Sequence, residues 1–362
     1  MTTIDDVEFW TGGHGVPGYA ARRASALESE GWSGMGIVDS QCLSGDPYVA
    51  AALAGAATSQ LKLATGVTNT VTRHPAVTAA AAASVQAETG GRFVLGIGRG
   101  DSALAHIGLA PAPLRQFERH LARLQFYLRR AEVPFDLETD AVNGLRSADA
   151  LGMDSAPSTS QLHWLTDAST KVPVDVAASG PKVIEIAARH AEAITFAVGV
   201  ETSRLAWAID LARRARAAAG LDPVSLRLGS YIPLFVHADR DTARESVRGG
   251  VGSYARFSVM HGTVAGPVAA SQRETLAAVH QSYDMHAHFR HGSRQSQQLT
   301  DEVIDAFSIA GPVSYCLERL SELYAMGIRR FFFMGAGIGL DRELARASHR
   351  LTVEHILPAR LA

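Results

Sequence analysis

Short apolar runs with strand character alternate with longer helical runs along almost the whole chain. A crossover helix between two strands places them parallel in one sheet, so this alternation predicts an α/β fold with a parallel sheet. Eight such strands in 362 residues match a (β/α)8 TIM barrel, with an open doubly wound sheet as the alternative. The predicted strands are Val7–Trp10, Gly34–Asp39, Lys62–Val67, Phe93–Ile97, Pro173–Ala177, Ala193–Ala197, Leu226–Phe235 and Arg330–Met334.

Two segments interrupt this repeat and predict long insertions in a single domain that spans residues 1–362. Residues 131–172 follow the fourth helix, predicted over Arg115–Arg130, and residues 249–310 follow the seventh strand. The second segment begins with Gly249 to Gly252 and contains four histidines between residues 280 and 291. Long loops in a compact barrel commonly form lids or subunit contacts.

Composition excludes several classes of protein. A net charge of −2 argues against a nucleic-acid binder, and 47% hydrophobic residues are typical of an enzyme with a substantial core. Cys42 and Cys316 are the two cysteines and have no metal-site spacing, so we expect no metal. The apolar run from Ala76 to Val85 is about half of the ~20 residues that a membrane span requires. The acidic start Met1 to Asp6 is unlike a secretory signal and predicts a cytoplasmic protein.

The fourth strand ends in a glycine-rich phrase that suggests a ligand site. Gly98, Arg99 and Gly100 are followed by Asp101. Glycines let a ligand approach the backbone, whose amides can then face an anion or a ring. A tight turn explains the same pattern equally well.

Two further acids belong to predicted strands. Glu8 lies within an apolar run, where a carboxylate needs either a partner or a function. Asp39 ends the second strand, at the edge of the barrel where active sites are found. A helix N-cap or a loop acid is the alternative for Asp39.

Polar and small residues follow two more strands. Gly66, Val67, Thr68 and Asn69 follow the third strand, where Thr and Asn are also common turn residues. Ser179, Gly180 and Pro181 lead from the fifth strand into a helix, whose free N-terminal amides can bind a phosphate. A plain N-cap serine before a proline is an equal alternative.

Together these strand ends resemble the bacterial luciferase-like superfamily of flavin and deazaflavin oxidoreductases. The resemblance is strongest to the branch that contains F420-dependent methylenetetrahydromethanopterin reductase, and it covers most of the chain. It rests on Val7-Glu-Phe9, Ile37-Val-Asp39, Gly66-Val-Thr-Asn69 with Arg73-x-Pro75, Gly96-Ile-Gly-Arg-Gly-Asp101, Ala178-Ser-Gly-Pro181 and Phe307-Ser-Ile-Ala-Gly-Pro312.

The resemblance implies coenzyme F420 as the cofactor, with FMN as the alternative. It implies a ring at the C-terminal mouth of the barrel and a non-proline cis peptide at Gly66–Val67. It also implies that Asp101 transfers a proton to a small organic substrate, with Glu8 and Asp39 beside it. The predicted cofactor-binding residues are Gly66, Val67, Thr68, Asn69, Gly98, Arg99, Gly100, Ser179, Gly180 and Pro181.

One departure from the family concerns a histidine. Several relatives carry histidine directly after the acid that matches Asp39, whereas this chain has Ser40. We expect His14 or a histidine between residues 280 and 291 to substitute for it. The resemblance also implies a homodimer, and an FMN enzyme of this kind would use a separate reductase.

Overall fold

The computed structural model describes residues 7–135, 148–260, 262–335 and 337–361. The N-terminal segment Met1 to Asp6 therefore lies outside the described residues, as does the stretch 136–147 of the first insertion. In the part of the chain that is described, no helix is both long enough and apolar enough to cross a membrane.

Eight parallel strands close into a barrel, as the sequence predicted. Each strand pairs with its neighbour in chain order, and β8 pairs back with β1. The strands are β1 Glu8–Gly13, β2 Gly34–Ile37, β3 Lys62–Thr65, β4 Phe93–Gly98, β5 Val174–Ala178, β6 Ala193–Phe196, β7 Arg227–Val236 and β8 Arg330–Met334.

Helices connect the strands and cover the outside of the barrel. Several begin with a proline in the first turn, where the missing N–H costs no hydrogen bond. The longer helices are α1 Ala20–Glu30, α2 Pro47–Ala56, α3 Pro75–Glu88, α4 Leu114–Leu128, α5 Pro181–His190, α6 Thr202–Ala218, α7 Arg240–Ala255, α8 Ala270–Gln281, α9 Asp301–Phe307, α10 Val313–Ala325 and α11 Arg342–Leu351.

The second predicted insertion, residues 249–310, begins inside a helix and is more ordered than its glycines suggested. Gly249 to Gly252 lie inside α7 rather than in a loop. A Cβ on Gly249 would come within 2.9 Å of the backbone nitrogen of His291, so glycine allows this later segment to pack against the helix. Ile309–Gly311 is a short strand, missed in the sequence, that extends the sheet beside β7.

The first strand is longer than predicted at its C-terminal end. It runs from Glu8 to Gly13, three residues past Trp10. Glu8 is the first residue of the strand and pairs with Arg330 at the start of β8. This register places Glu8 at the amino-terminal end of the barrel, away from the mouth.

The core has two layers. Apolar residues between the strands and the helices form the larger one. Inside the barrel, large and small side chains fill the lumen. A ligand at the C-terminal mouth would therefore rest on these side chains and not enter a channel. The buried lumen residues are Trp10, Ala64, Val94, Ala197, Tyr231 and Phe332.

Candidate active site

Glu8 belongs to a buried ion network at the amino-terminal end of the barrel. Its carboxylate accepts hydrogen bonds from Trp10 Nε1 at 3.0 Å and Arg330 Nε at 2.9 Å, and it pairs with Lys62 and Arg227. Burial alone would raise the pKa of Glu8, but the surrounding cations outweigh it and lower the pKa to about 2. The expected place of Glu8 beside the other two acids is therefore wrong, because its strand starts rather than ends there.

Asp39 lies at the mouth, as expected, directly after β2. Its Oδ1 accepts a 2.8 Å hydrogen bond from Gln41, and its Oδ2 accepts 2.6 Å bonds from Thr68 Oγ1 and Arg73 Nη1. Arg73 also pairs with Asp46, the N-cap of α2. Both oxygens of Asp39 are thus engaged, and this side chain holds Thr68 and Arg73.

The segment after β3 joins the ends of β2 and β4. The peptide bond between Gly66 and Val67 is cis. Thr68 and Asn69 pair with Ile97 and Gly98 of β4.

The side chain of Asn69 fixes the turn that follows this segment. Its Oδ1 accepts hydrogen bonds from the backbone nitrogens of Val71 and Thr72, at 2.9 and 3.0 Å. A Cβ on Gly100 would lie 3.2 Å from the Asn69 Cβ, so the two strand ends are in close approach.

The glycine-rich end of β4 is only partly a turn. Gly98 is the last residue of the strand, and Gly100 has φ +80°, a left-handed conformation that favours glycine. Arg99 points away from the strand and donates a 2.7 Å hydrogen bond from Nε to the Ala112 carbonyl. Asp101 follows at the start of a short helix, Ser102–Ala105, and does not cap it.

Ser179 and Gly180 connect β5 to the N-terminus of α5. Gly180 is the N-cap residue and Pro181 occupies the first turn, with no side-chain capping bond. A Cβ on Gly180 would meet no atom within 4 Å, so there is open space beside this helix end. Free amides next to open space suit an oxyanion.

A set of partly exposed apolar side chains covers the lumen at the mouth, and we call it the apolar floor. Its members come from strand ends and from the second insertion, and all pack on the buried lumen residues. Gly98 lies beside it, since a Cβ there would be 3.4 Å from Val67 and 4.0 Å from Ala177. The floor consists of Val67, Ala177, Tyr254, Phe257 and Met334.

The second insertion brings to the mouth a cation that sequence reasoning missed. Arg256 follows α7 and forms an ion pair with Asp101. Its guanidinium carbon lies 4.5 Å from the centre of the Tyr283 ring and 5.4 Å from that of Phe257. Nothing in the local sequence distinguishes Arg256 from the other arginines, because its partner is more than 150 residues away in the chain.

The structure shows where the histidines lie that were expected to substitute for the family histidine. His14 is exposed. His288, in the four-histidine segment, is half-buried and is bonded through Nδ1 to the hydroxyl of Tyr283. Burial is the main cause that lowers the pKa of His288 to about 4, so the ring is neutral at neutral pH. Among the described residues, no group of three or more His, Cys, Asp and Glu side chains could hold a metal ion.

The residues at the mouth fit a flat ring with an anionic tail. The apolar floor offers contact to a ring, and the end of β4 and the start of α5 offer backbone amides and Arg99. The structure brings together Asp39, Asp101 and every predicted cofactor-binding residue at this end of the barrel, and it leaves Glu8 at the other.

Comparison with known proteins gives consistent matches over nearly the whole chain. A family model described as luciferase-like monooxygenase matches residues 5–330. A 5,10-methylenetetrahydromethanopterin reductase of Methanolobus tindarius is 26% identical over 329 residues, which is 90% of this chain and 92% of the relative.

Two solved structures show the same fold. The coenzyme F420 dependent tetrahydromethanopterin reductase of Methanopyrus kandleri has a TM-score of 0.71 at 20% identity, covering 98% of this chain and 99% of that one. The FMN-bound oxygenating constituent of a Pseudomonas putida diketocamphane monooxygenase has a TM-score of 0.63 at 16% identity, with 98% and 99% covered.

Proposed function

The chain belongs to the luciferase-like monooxygenase family, and we propose that it is an F420-dependent oxidoreductase acting on a small organic substrate. The match to the methylenetetrahydromethanopterin reductase of Methanolobus tindarius covers 90% of the chain, and the structurally similar tetrahydromethanopterin reductase of Methanopyrus kandleri is coenzyme F420 dependent, which together support the choice of F420. The apolar floor and the adjacent free amides support it, because they suit a flat ring with an anionic tail.

We propose that the cofactor is held by three strand ends. Val67 and its neighbours Gly66, Thr68 and Asn69 would contact the ring, and Gly98, Arg99 and Gly100 would face its tail. Ser179, Gly180 and the amides after Pro181 would bind the phosphate, since a helix N-terminus carries a partial positive charge. When bound, the deazaflavin supplies the hydride donor or acceptor.

Asp101 is the proposed proton carrier for the substrate. Hydride transfer to a carbonyl carbon leaves its oxygen to gain a proton, and hydride removal from an alcohol carbon leaves the hydroxyl to lose one. A carboxylic acid or carboxylate within hydrogen-bond reach can supply or take that proton. Asp101 is partly exposed at the mouth, beside the floor. The role of Asp39 in this proposal is to hold Thr68 and Arg73 in place, and Glu8 has no part in it.

An FMN-dependent monooxygenase is the second candidate, favoured by the structural match to the Pseudomonas putida oxygenase. Such an enzyme would need a separate reductase to supply reduced FMN. The same residues would serve the ring and phosphate in both cases, so the site geometry does not separate the two functions.

Titration of the purified protein with F420 and FMN, each oxidised and reduced, tests the choice. We expect F420 to bind at least about tenfold more tightly than FMN and reduced FMN to cause no oxygen consumption above that of FMN alone. Tight binding of FMN without binding of F420, together with oxygen consumption, would instead support the FMN-dependent monooxygenase. Binding of neither cofactor would refute both.

We also propose that the protein is a homodimer joined through α2 and α3, which pack on each other. Val49 and Leu53 on α2 and Val77 on α3 are each more than half exposed. Helices that are apolar on both faces are usually covered on both. A cytoplasmic location stays a prediction.

A further inference from the structure

The ion pair between Asp101 and Arg256 crosses the mouth of the barrel. Asp101 follows β4, whereas Arg256 lies in the short helical turn Arg256–Ser258 at the end of α7, which follows β7. Two strands, β5 and β6, separate β4 from β7 in the closed barrel. The pair therefore joins opposite sides of the opening directly above the apolar floor.

Arg256 is a buried cation in an aromatic setting. The residue is 8% exposed and its guanidinium packs on the rings of Tyr283 and Phe257. Among the described residues its Nε has no hydrogen-bond acceptor. Burial lowers the pKa of Arg256, yet an arginine stays charged at neutral pH. Burying a guanidinium is costly unless polar partners compensate its charge, and Asp101 is the carboxylate that pairs with Arg256 here.

The proposed role of Asp101 conflicts with this pairing. A carboxylate held against a guanidinium is stabilised in its ionised form and is a poor proton donor. A substrate that reaches Asp101 must also enter the space that the pair spans. If Asp101 is to turn to the substrate, Arg256 requires a replacement anion.

Arg99 is a second cation at the end of β4, two residues before Asp101. It has no carboxylate within ion-pair distance among the described residues, and its Nε bonds a carbonyl. Asp39 and Asp46 both pair with Arg73. A guanidinium at this strand end without a carboxylate partner favours an anionic ligand.

We infer that Arg256 is the residue that recognises the substrate, and that it binds an oxyanion of that substrate in exchange for Asp101. The planar guanidinium fork suits a carboxylate or a phosphate equally, so the shared chemistry is an oxyanion next to the reacting carbon. This exchange would break the ion pair across the mouth and free the Asp101 carboxylate to face the substrate. The inference rests on the proposed function only for the part played by Asp101.

The test compares two probes of the same shape and different charge, benzoate and benzamide. Their dissociation constants are measured by ligand-observed NMR titration of the full-length protein and of Arg256→Gln. We expect the wild type to bind benzoate at least about tenfold more tightly than benzamide, and Arg256→Gln to lose this preference. Arg244→Gln, on the preceding helix α7 and paired with Asp305, is the matched control and should keep it.

A second variant and a second ligand complete the test. Arg256→Lys keeps the positive charge but lacks the planar guanidinium, so it should retain part of the preference for benzoate over benzamide. This variant tests the inference if Arg256→Gln fails to fold. F420 and FMN affinities, measured by fluorescence quenching, should change less than about twofold in Arg256→Gln. A parallel loss of cofactor affinity would assign Arg256 to the cofactor tail, and an unchanged benzoate preference would remove it from recognition; either result overturns the inference.

Failure of the proposed function is distinguishable from failure of this inference. If the wild type binds neither F420 nor FMN, the cofactor proposal falls. The benzoate preference and its dependence on Arg256 can still be present or absent in that case, because the probe titrations contain no cofactor.

Discussion

Arg330 joins Glu8 to Asp175 at the amino-terminal end of the barrel. Its Nε donates a 2.9 Å hydrogen bond to Glu8, and its Nη1 donates a 2.5 Å bond to Asp175. Its guanidinium also lies 4.7 Å from the centre of the Trp10 ring. Three strands are thereby linked beneath the lumen, at the opposite end from the proposed active site. The network is expected to act on stability rather than on turnover.

Glu8→Gln tests that assignment. The substitution removes one charge from a buried network and leaves Arg330 and its neighbours under-compensated, so we expect a loss of about 3 kcal/mol in the free energy of unfolding at pH 7. Turnover per folded molecule should be unchanged. Urea unfolding measures the free energy of unfolding, and steady-state assays measure turnover. Glu322→Gln, which breaks an exposed pair with Arg319, should cost less than about 1 kcal/mol. A folded Glu8→Gln protein without turnover would contradict the assignment.

The pH dependence of stability gives a second test of Glu8. Its pKa falls from 4.5 to about 2 on folding. The charged form is thus favoured in the folded state, and the resulting stability is complete above pH 4.5 and lost as the pH falls toward 2. The difference in unfolding free energy between wild type and Glu8→Gln should shrink by roughly 3 kcal/mol across that window. The same measurement at each pH cancels other titrating groups, such as His120. A constant difference would show that Glu8 does not titrate as expected.

The barrel was predictable because it depends on local patterns, whereas the site depends partly on distant contacts. Strand ends such as Gly98 to Asp101 and Ser179 to Pro181 carry their glycines and prolines in the sequence itself. The extent of β1 does not follow from such signals, because Gly12 and Gly13 have low strand propensity and are held by pairing with β2. Glu8 therefore lies at the amino-terminal end of the barrel and not at the C-terminal mouth, where it was expected.

The second insertion shows the same limit. Gly249 to Gly252 suggest a loop by composition, since glycine is unfavourable within a helix. In the structure the glycines allow close packing of residues 290–291 and of the loop after β8 against α7. The position of Arg256 depends on this packing, and no local pattern indicates it.

Asp101→Asn separates proton transfer from cofactor binding. An amide cannot exchange the proton, so turnover should fall at least about tenfold while F420 affinity stays within about twofold. Stopped-flow reduction or oxidation of the cofactor and a fluorescence titration measure the two effects. Asp46→Asn is the matched control, because Asp46 also pairs with an arginine at 2.8 Å and asparagine is an equally good N-cap. Unchanged turnover in Asp101→Asn would remove the proton-transfer role.

Ser179→Asp tests the phosphate site at α5. A negative charge next to the helix N-terminus should repel the cofactor phosphate and weaken binding of F420 or FMN at least about tenfold. Ser84→Asp adds the same charge on the exposed face of α3 and should change affinity less than about twofold. The weakening in Ser179→Asp should diminish at high salt, because the repulsion is electrostatic. Full affinity in Ser179→Asp would place the phosphate elsewhere.

Leu53→Glu tests the proposed dimer contact. Leu53 is 54% exposed on α2, where Val49 is 62% exposed, and Val77 on the adjoining α3 is 55% exposed. A buried, unpaired carboxylate at the centre of an apolar interface is costly, so the variant should be a monomer at concentrations where the wild type is a dimer. Light scattering coupled to size exclusion measures the mass. Val224→Glu, at a site 70% exposed in the loop before β7, should leave the mass unchanged. A wild type that is itself monomeric, or a Leu53→Glu dimer, would exclude this face as the interface.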